Sequence, residues 1–264
     1  MFTLSACGGW FEGAAPEKVR AAKANGFDAL EILSWKDMDL AATAAALKET
    51  GTTISAILIQ SKDAEKQALI ANTHGIVWAD AHQAFVDALG ETLEAAKALN
   101  VTKIVVTTGN ERSDVSRGYQ HDMVVKALKL GADVVKGSGV DIVLEPLNIL
   151  VNHAGYFLVT TAETAEIIRE VDRPEVKILF DVYHQQISEG NVIRNIVNHI
   201  DLIGHIHVGD NPGRNEPGTG EINYRKVFEA IAKAGYEGYV VFECGHTEET
   251  PIVCKKMLAL VEGL

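Results

Sequence analysis

Short apolar, β-rich runs alternate with longer helical patterns along almost the whole chain, and that alternation leaves few folds open. The runs predict strands over residues 2–6, 29–33, 54–59, 103–107, 140–145, 176–181, 202–208 and 239–243. The stretches between them predict helices near 16–25, 39–49, 81–99, 119–136, 162–171, 191–199, 224–234 and 250–261, the first two closed by Gly26 and Gly51. Strands that are apolar throughout, each followed by a helix, imply a parallel sheet covered on its outer face. Eight such units in 264 residues favour a closed (β/α)8 TIM barrel, a fold of roughly 250 residues, over an open doubly wound sheet. No GxGxxG follows a strand, which removes the main dinucleotide-binding reading. No linker, low-complexity tract or short repeat divides the chain, so residues 1–264 are expected to form one barrel domain.

A barrel of this kind presents the C-terminal ends of its strands to one cavity, where chemistry is usually placed. Here VDIVLEP carries Glu145, VKILFD ends in Asp181, IGHIHVGD carries His207 and GYVVFEC carries Glu243, from strands five to eight in succession. Any one of these acids could merely cap a helix or pair with a lysine. Three carboxylates and an imidazole converging on one cavity need compensation, and hard oxygen ligands with one nitrogen suit Mn²⁺, Mg²⁺ or Co²⁺, with Zn²⁺ an option. His184, three residues past Asp181, is placed to reach a substrate hydroxyl or carbonyl. His205 shares a strand face with His207 but lies deeper, and reads as a hydrogen-bonded interior histidine. The stretch 211–224, NPGRNEPGTGEINY, is too rich in Gly and Pro for helix or strand and forms a loop after strand seven. Its Arg214 is a candidate grip for a substrate oxygen or carboxylate, because a guanidinium is a fixed fork of donors; the competing expectation is a surface ion pair with Glu216. His246, close after Glu243, is a further residue to follow.

Charge and cysteine usage narrow the partners. Thirty-six Asp+Glu against 24 Lys+Arg give a formal net charge of −12, a surface that repels polyphosphates, so nucleic acid is not an expected partner. No run of 18 apolar residues occurs, which speaks against a membrane span. The N-terminus lacks a basic segment ahead of an apolar one and reads as a first strand. Cys7, Cys244 and Cys254 form no CxxC and cannot all pair, which fits reduced thiols and a cytoplasmic location. The expected partner is a small-molecule sugar or sugar-acid substrate. Barrels of this kind often pair, so a homo-oligomer is compatible with the sequence.

The residues of the second half resemble the xylose-isomerase-like barrel superfamily, and within it the hydroxypyruvate isomerase group, with ketose 3-epimerases as near relatives. The resemblance is carried by LEPLN (144–148), FDVYHQQISEG (180–190), GHIHVGDNPGRNEPGTGEINY (204–224) and GYVVFE (238–243). It implies that Glu145, Asp181, His207 and Glu243 bind the metal, that Glu145 and Glu243 also act as the acid/base pair, and that His184 and Arg214 contact substrate. The chain departs from the group in having His207 where a glutamine is usual, as in the epimerases. It also lacks the usual histidine–asparagine–leucine–proline run after strand three, where it reads ILIQSKDAEK (57–66), and a lysine–proline pair after Glu243. Lys62 and Arg112, in loops after strands three and four, are candidate substitutes for that lysine. The implied activity is a metal-dependent isomerisation of a small hydroxy-keto acid and its aldehyde, such as hydroxypyruvate and tartronate semialdehyde, through an enediolate. The alternative is 3-epimerisation of free ketopentoses or ketohexoses. Further readings are a polyol-acid dehydratase, a sugar-binding barrel without chemistry and a metal-dependent abasic-site endonuclease, the last opposed by charge and histidine spacing.

Overall fold

Every strand pairing in the computed structural model, which describes residues 1–264, is parallel. The strands are β1 (Thr3–Cys7), β2 (Ala29–Glu31), β3 in two short pieces (Thr53–Ile54 and Ile57–Leu58), β4 (Lys103–Val106), β5 (Asp141–Leu144), β6 (Val176–Asp181), β7 (Ile203–Val208) and β8 (Tyr239–Phe242). The helices are α1 (Ala15–Ala24), α2 (Leu40–Thr50), α3 (Ala64–Leu69), α4 (His82–Leu99), α5 (Arg117–Val135), α6 (Thr161–Val171), α7 (Val182–Ser188), α8 (Val192–Asn198), α9 (Tyr224–Lys233) and α10 (Thr250–Ala259). No helix is long and apolar enough to cross a membrane.

The sequence predicts one continuous third strand, and the structure breaks it at Ser55 and Ala56. The break is where this strand changes neighbours. Its first piece pairs with β2, Ala29 against Thr53, and its second with β4, Ile57 against Ile104. Across the break Ser55 N–H donates to Leu30 O at 3.0 Å, and Ile59 N–H donates to Val105 O at 3.0 Å. One strand thus joins both edges of the sheet, and the ring closes as the (β/α)8 TIM barrel expected. Two short helices, α3 of six residues and α7 of seven, were not expected from the sequence. Longer helices start on oxygens that accept from their first-turn amides: Asp39 from Ala42 N at 2.9 Å, Ser116 from Tyr119 N at 3.2 Å, and Thr160 from Glu163 N at 3.3 Å.

Strand residues alternate between two buried environments, as side chains on a strand must. Ile104, Val106, Ile142, Leu144, Ile178 and Phe180 join the large core between sheet and helices. The residues between them, Val105, Val143 and Leu179, form a separate cluster with Ala56 from β3. That smaller cluster fills the inside of the barrel, where Ser5 also donates its hydroxyl to Ser55 Oγ at 2.9 Å. The alternation decides what reaches the mouth, because a residue two beyond an inward residue faces inward as well.

Candidate metal centre at the barrel mouth

Glu145 lies two residues beyond inward Val143, and Asp181 two beyond inward Leu179. His207 and Glu243 occupy the corresponding place on β7 and just past β8, two beyond His205 and Val241. Register then sets them side by side, with Asp181 opposite His207 and His207 opposite Val241. His207 Nδ1 stands 3.4 Å from Glu243 Oε2 and 3.9 Å from Glu145 Oε1. One ligand atom from each of Glu145, Asp181, His207 and Glu243 can be chosen so that all lie within 4.8 Å of one another. All four residues predicted as ligands are therefore brought together.

The electrostatics of this cluster are those of an anionic hole. Burial raises the Glu145 carboxyl well above its ordinary range, and the nearby Glu243 and Asp181 charges push it further up. Glu243 goes the other way: burial alone would raise it, but His207 and Arg214 outweigh burial and bring it to about 2. Burial works against a charge on His207, yet the Glu31 and Glu243 carboxylates hold its pKa well above the ordinary value. Arg214 and His207 offset part of this negative charge, and a divalent ion at the same point would offset the rest. The residues fit a divalent metal on a second count: His207 Nδ1 is buried, faces two carboxylates and makes no hydrogen bond. Three oxygen donors and one imidazole nitrogen suit Mn²⁺, Mg²⁺ or Co²⁺ and also admit Zn²⁺, so the donor set does not single out one metal.

The sequence model of the xylose isomerase-like TIM barrel family matches residues 19–258. The chain belongs to that family. A putative hydroxypyruvate isomerase of Danio rerio is 32% identical over 231 residues, covering 85% of this chain and 82% of its own length. A 2-oxo-tetronate isomerase of Cupriavidus necator is 31% identical over 230 residues, 87% of this chain and 86% of that one. Among solved structures, an AP endonuclease, family 2, from Brucella melitensis superposes with a TM-score of 0.89 at 26% identity, covering 98% of this chain and 99% of that one.

Within this xylose isomerase-like barrel, Asp181 serves two masters. Its Oδ1 caps α7, accepting from Tyr183 N at 2.7 Å and His184 N at 3.1 Å. Its Oδ2 faces the cluster, 3.5 Å from Arg214 Nη2 and 3.6 Å from His184 Nε2. Helix capping is thus real here, but it uses only one oxygen. His184 is buried, and burial lowers its pKa, so the ring is neutral. Its Nδ1 accepts from Asn148 Nδ2 at 2.7 Å and from the Asn148 amide at 3.3 Å. The ring proton is therefore on Nε2, directed at the cavity. Asn148, the last residue of LEPLN, fixes this tautomer, a role the sequence did not suggest.

Arg214 reaches the cluster from the 211–224 loop, with Nη2 at 2.5 Å from Glu243 Oε2. Asp210 builds that loop: it is fully buried and accepts from the amides of Asn211, Gly218, Gly220 and Ile222 at 2.8 to 3.1 Å. The competing ion pair of Arg214 with Glu216 does not form: Arg214 pairs with Glu243 and Asp181. Glu216 instead accepts from Thr247, amide and hydroxyl. His246 turns outward, its Nδ1 against Glu248 O at 2.7 Å.

Glu31 was missed, and the signal for it was present. Leu30 joins the outer core, so Glu31, the last residue of β2, faces inward like the other strand-end acids. It meets both inward histidines of β7, His205 at 2.9 Å and His207 at 3.0 Å. His205 is thus the hydrogen-bonded interior histidine expected. A cavity of about 240 Å³ opens beside Glu31 and Glu243, lined also by Cys7, Gly9 and Lys18. The two cations named from sequence as alternatives do not line it: Lys62 lies over the Trp35 ring and Arg112 stacks on Trp78.

Proposed function

We propose that this barrel is a metal-dependent isomerase that interconverts a small hydroxy-keto acid and its aldehyde, of the hydroxypyruvate and tartronate semialdehyde kind, with residues 1–264 acting as one catalytic domain. The observation that carries the reading is the convergence of Glu145, Asp181, His207 and Glu243 on one buried point. The Danio and Cupriavidus relatives, isomerases by name, supply the reaction class.

A divalent ion held by Glu145, Asp181, His207 and Glu243 would polarise the substrate carbonyl and steady the oxyanion that develops there. Glu243 is ionised, and Arg214 and His207 both approach its Oε2, so Oε1 has no hydrogen-bond partner and can take a proton. In hydroxypyruvate that proton leaves C3, and the electron pair of the C–H bond becomes the C2–C3 double bond of the enediolate. The proton returns at C2 from the Glu243 carboxyl or from Glu145 across the site, while the O3 hydroxyl proton passes to O2. His184 Nε2–H and Arg214 are placed to donate to substrate oxygens. Lys18, on the wall of the adjacent cavity, is the cation a substrate carboxylate would meet.

One observation favours a second reading. His207 stands where the resemblance leads one to expect glutamine, and the same two glutamates could return the proton to the opposite face of one carbon, which is 3-epimerisation of a free ketose. The Brucella structure's name raises a nuclease, but a net charge of −12 is the wrong sign for a phosphate backbone. An NMR panel in D₂O with hydroxypyruvate, tartronate semialdehyde, fructose, psicose, tagatose and ribulose separates the readings. Deuterium should enter the hydroxy-keto acid and its aldehyde, and Lys18→Met should weaken turnover of the acids alone. Uptake confined to the ketoses would overturn the assignment in favour of the epimerase.

A further inference from the structure

The mechanism leaves Glu31 and His205 unused, although both are buried against His207. We propose that Glu31 is a positioning residue of the metal centre: its carboxylate accepts the Nε2–H of His207 and so turns the Nδ1 lone pair toward the metal. The proposal rests on the metal-dependent reading above.

A neutral imidazole carries one N–H and one lone pair, and the partner of one nitrogen fixes the state of the other. For His207 to bind a cation through Nδ1, the nitrogen that faces Glu145 and Glu243, the proton must sit on Nε2. The acceptor at Nε2 is Glu31, with Oε1 at 3.0 Å and Oε2 at 3.3 Å. His205 holds the same carboxylate from the β7 side, its Nε2 2.9 Å from Glu31 Oε2. His205 Nδ1 is buried without a partner, so its proton belongs on Nε2 as well. Both histidine Nε2 atoms hydrogen-bond Glu31 Oε2, while Oε1, 3.0 Å from His207 Nε2, makes no hydrogen bond although Glu31 is only 5% exposed. The backbone fixes the distance too. A Cβ at Gly8 would come within 2.4 Å of Glu31 O, so the close passage past the end of β2 needs glycine. Partners of this kind orient metal-binding histidines and typically change metal affinity by about 10–100-fold.

The competing arrangement is a second cation held by Glu31, His205 and His207, whose ligand atoms also lie within 4.8 Å of one another. It would take the lone pair from His207 Nε2 and leave an N–H on Nδ1, aimed into the carboxylates. The experiment uses the full chain, stripped of metal with a chelator and titrated with Co²⁺ alone against a chromophoric competitor. Wild type should take up one Co²⁺ per chain. Glu31→Ala should bind it on the order of 10–100-fold more weakly, and Glu31→Gln, whose side-chain oxygen still accepts the Nε2–H, should lose less. Circular dichroism of the stripped proteins checks that each variant is folded, and a merely structural role would not rank Gln above Ala in affinity. A variant-free arm uses Zn²⁺-loaded wild type with ¹⁵N-labelled histidine: long-range ¹H–¹⁵N spectra should show His207 protonated at Nε2 and metal-bound at Nδ1. Wild-type Co²⁺ affinity in folded Glu31→Ala, or a proton on Nδ1, overturns the role of Glu31. Two Co²⁺ per chain, one lost in Glu31→Ala, replaces it with the second site. No Co²⁺ uptake by wild type overturns the metal reading itself.

Discussion

Glu145 and Glu243 are the same residue type a few ångströms apart, and their surroundings drive them in opposite directions. Such divergence separates an acid from a base. Glu243→Gln keeps the shape and removes the proposed base, so deuterium incorporation from solvent should fall on the order of 10²-fold or more. Metal content measured in the same samples separates loss of the base from loss of a ligand, and unchanged exchange would make Glu243 structural. Glu145 gives a stability signature. Its folded-state pKa lies above the ordinary 4.5, so the metal-free fold binds this proton more tightly than the unfolded chain does. The stability this contributes is complete below pH 4.5 and is lost as pH rises toward the raised value. Glu243, brought to about 2, has the opposite sign: its contribution is present above 4.5 and fades as pH falls toward 2. In chelator, Glu145→Gln should therefore melt higher than wild type at neutral pH, each kcal/mol regained being worth about 2–4 °C in a chain of this size. The two should converge near pH 4.5, and equal melting temperatures at neutral pH would show that Glu145 carries no such repulsion.

At the scale of elements, the 211–224 loop holds its shape through one side chain. Asp210 gathers four amides, and Arg214 N–H donates to Asp210 O at 2.7 Å, which sets the turn that aims the guanidinium at Glu243. Arg214 adopts a left-handed backbone, φ 49°, a conformation held by its surroundings because it disfavours a side chain. Asp210→Ala leaves several amides without partners, at about 1–3 kcal/mol for each buried one. It should lower the unfolding free energy by at least about 2 kcal/mol on that scale and speed amide exchange in 211–224 ahead of the barrel strands. Exchange rising evenly over the whole chain would mean that the loop is not organised by Asp210.

For the molecule as a whole, the proposed metal centre would make metal and fold interdependent. A cation that binds the native site and not the unfolded chain stabilises by mass action, about 2.7 kcal/mol at a hundred times its Kd. Prolonged chelation should abolish activity and lower the melting temperature, and Mn²⁺, Mg²⁺ or Co²⁺ should restore both. Full activity in protein shown to be metal-free would end the metal-dependent reading.

The sequence by itself determined the architecture and most of the centre. Alternating apolar strands and helices allow one closed parallel barrel, and the acids and histidine at four consecutive strand ends fall in its mouth because strand side chains repeat every two residues. The same rule made Glu31 readable, but the strand expected over 29–33 put it mid-strand, whereas β2 ends at Glu31. What only the tertiary structure decided is pairing across the barrel. No sequence spacing says that Glu31 on β2 meets His205 and His207 on β7, that Asn148 sets the proton of His184, or that Arg214 turns to Glu243 rather than Glu216. These partners lie tens to nearly two hundred residues apart in the chain, and closure of the ring is what makes them neighbours.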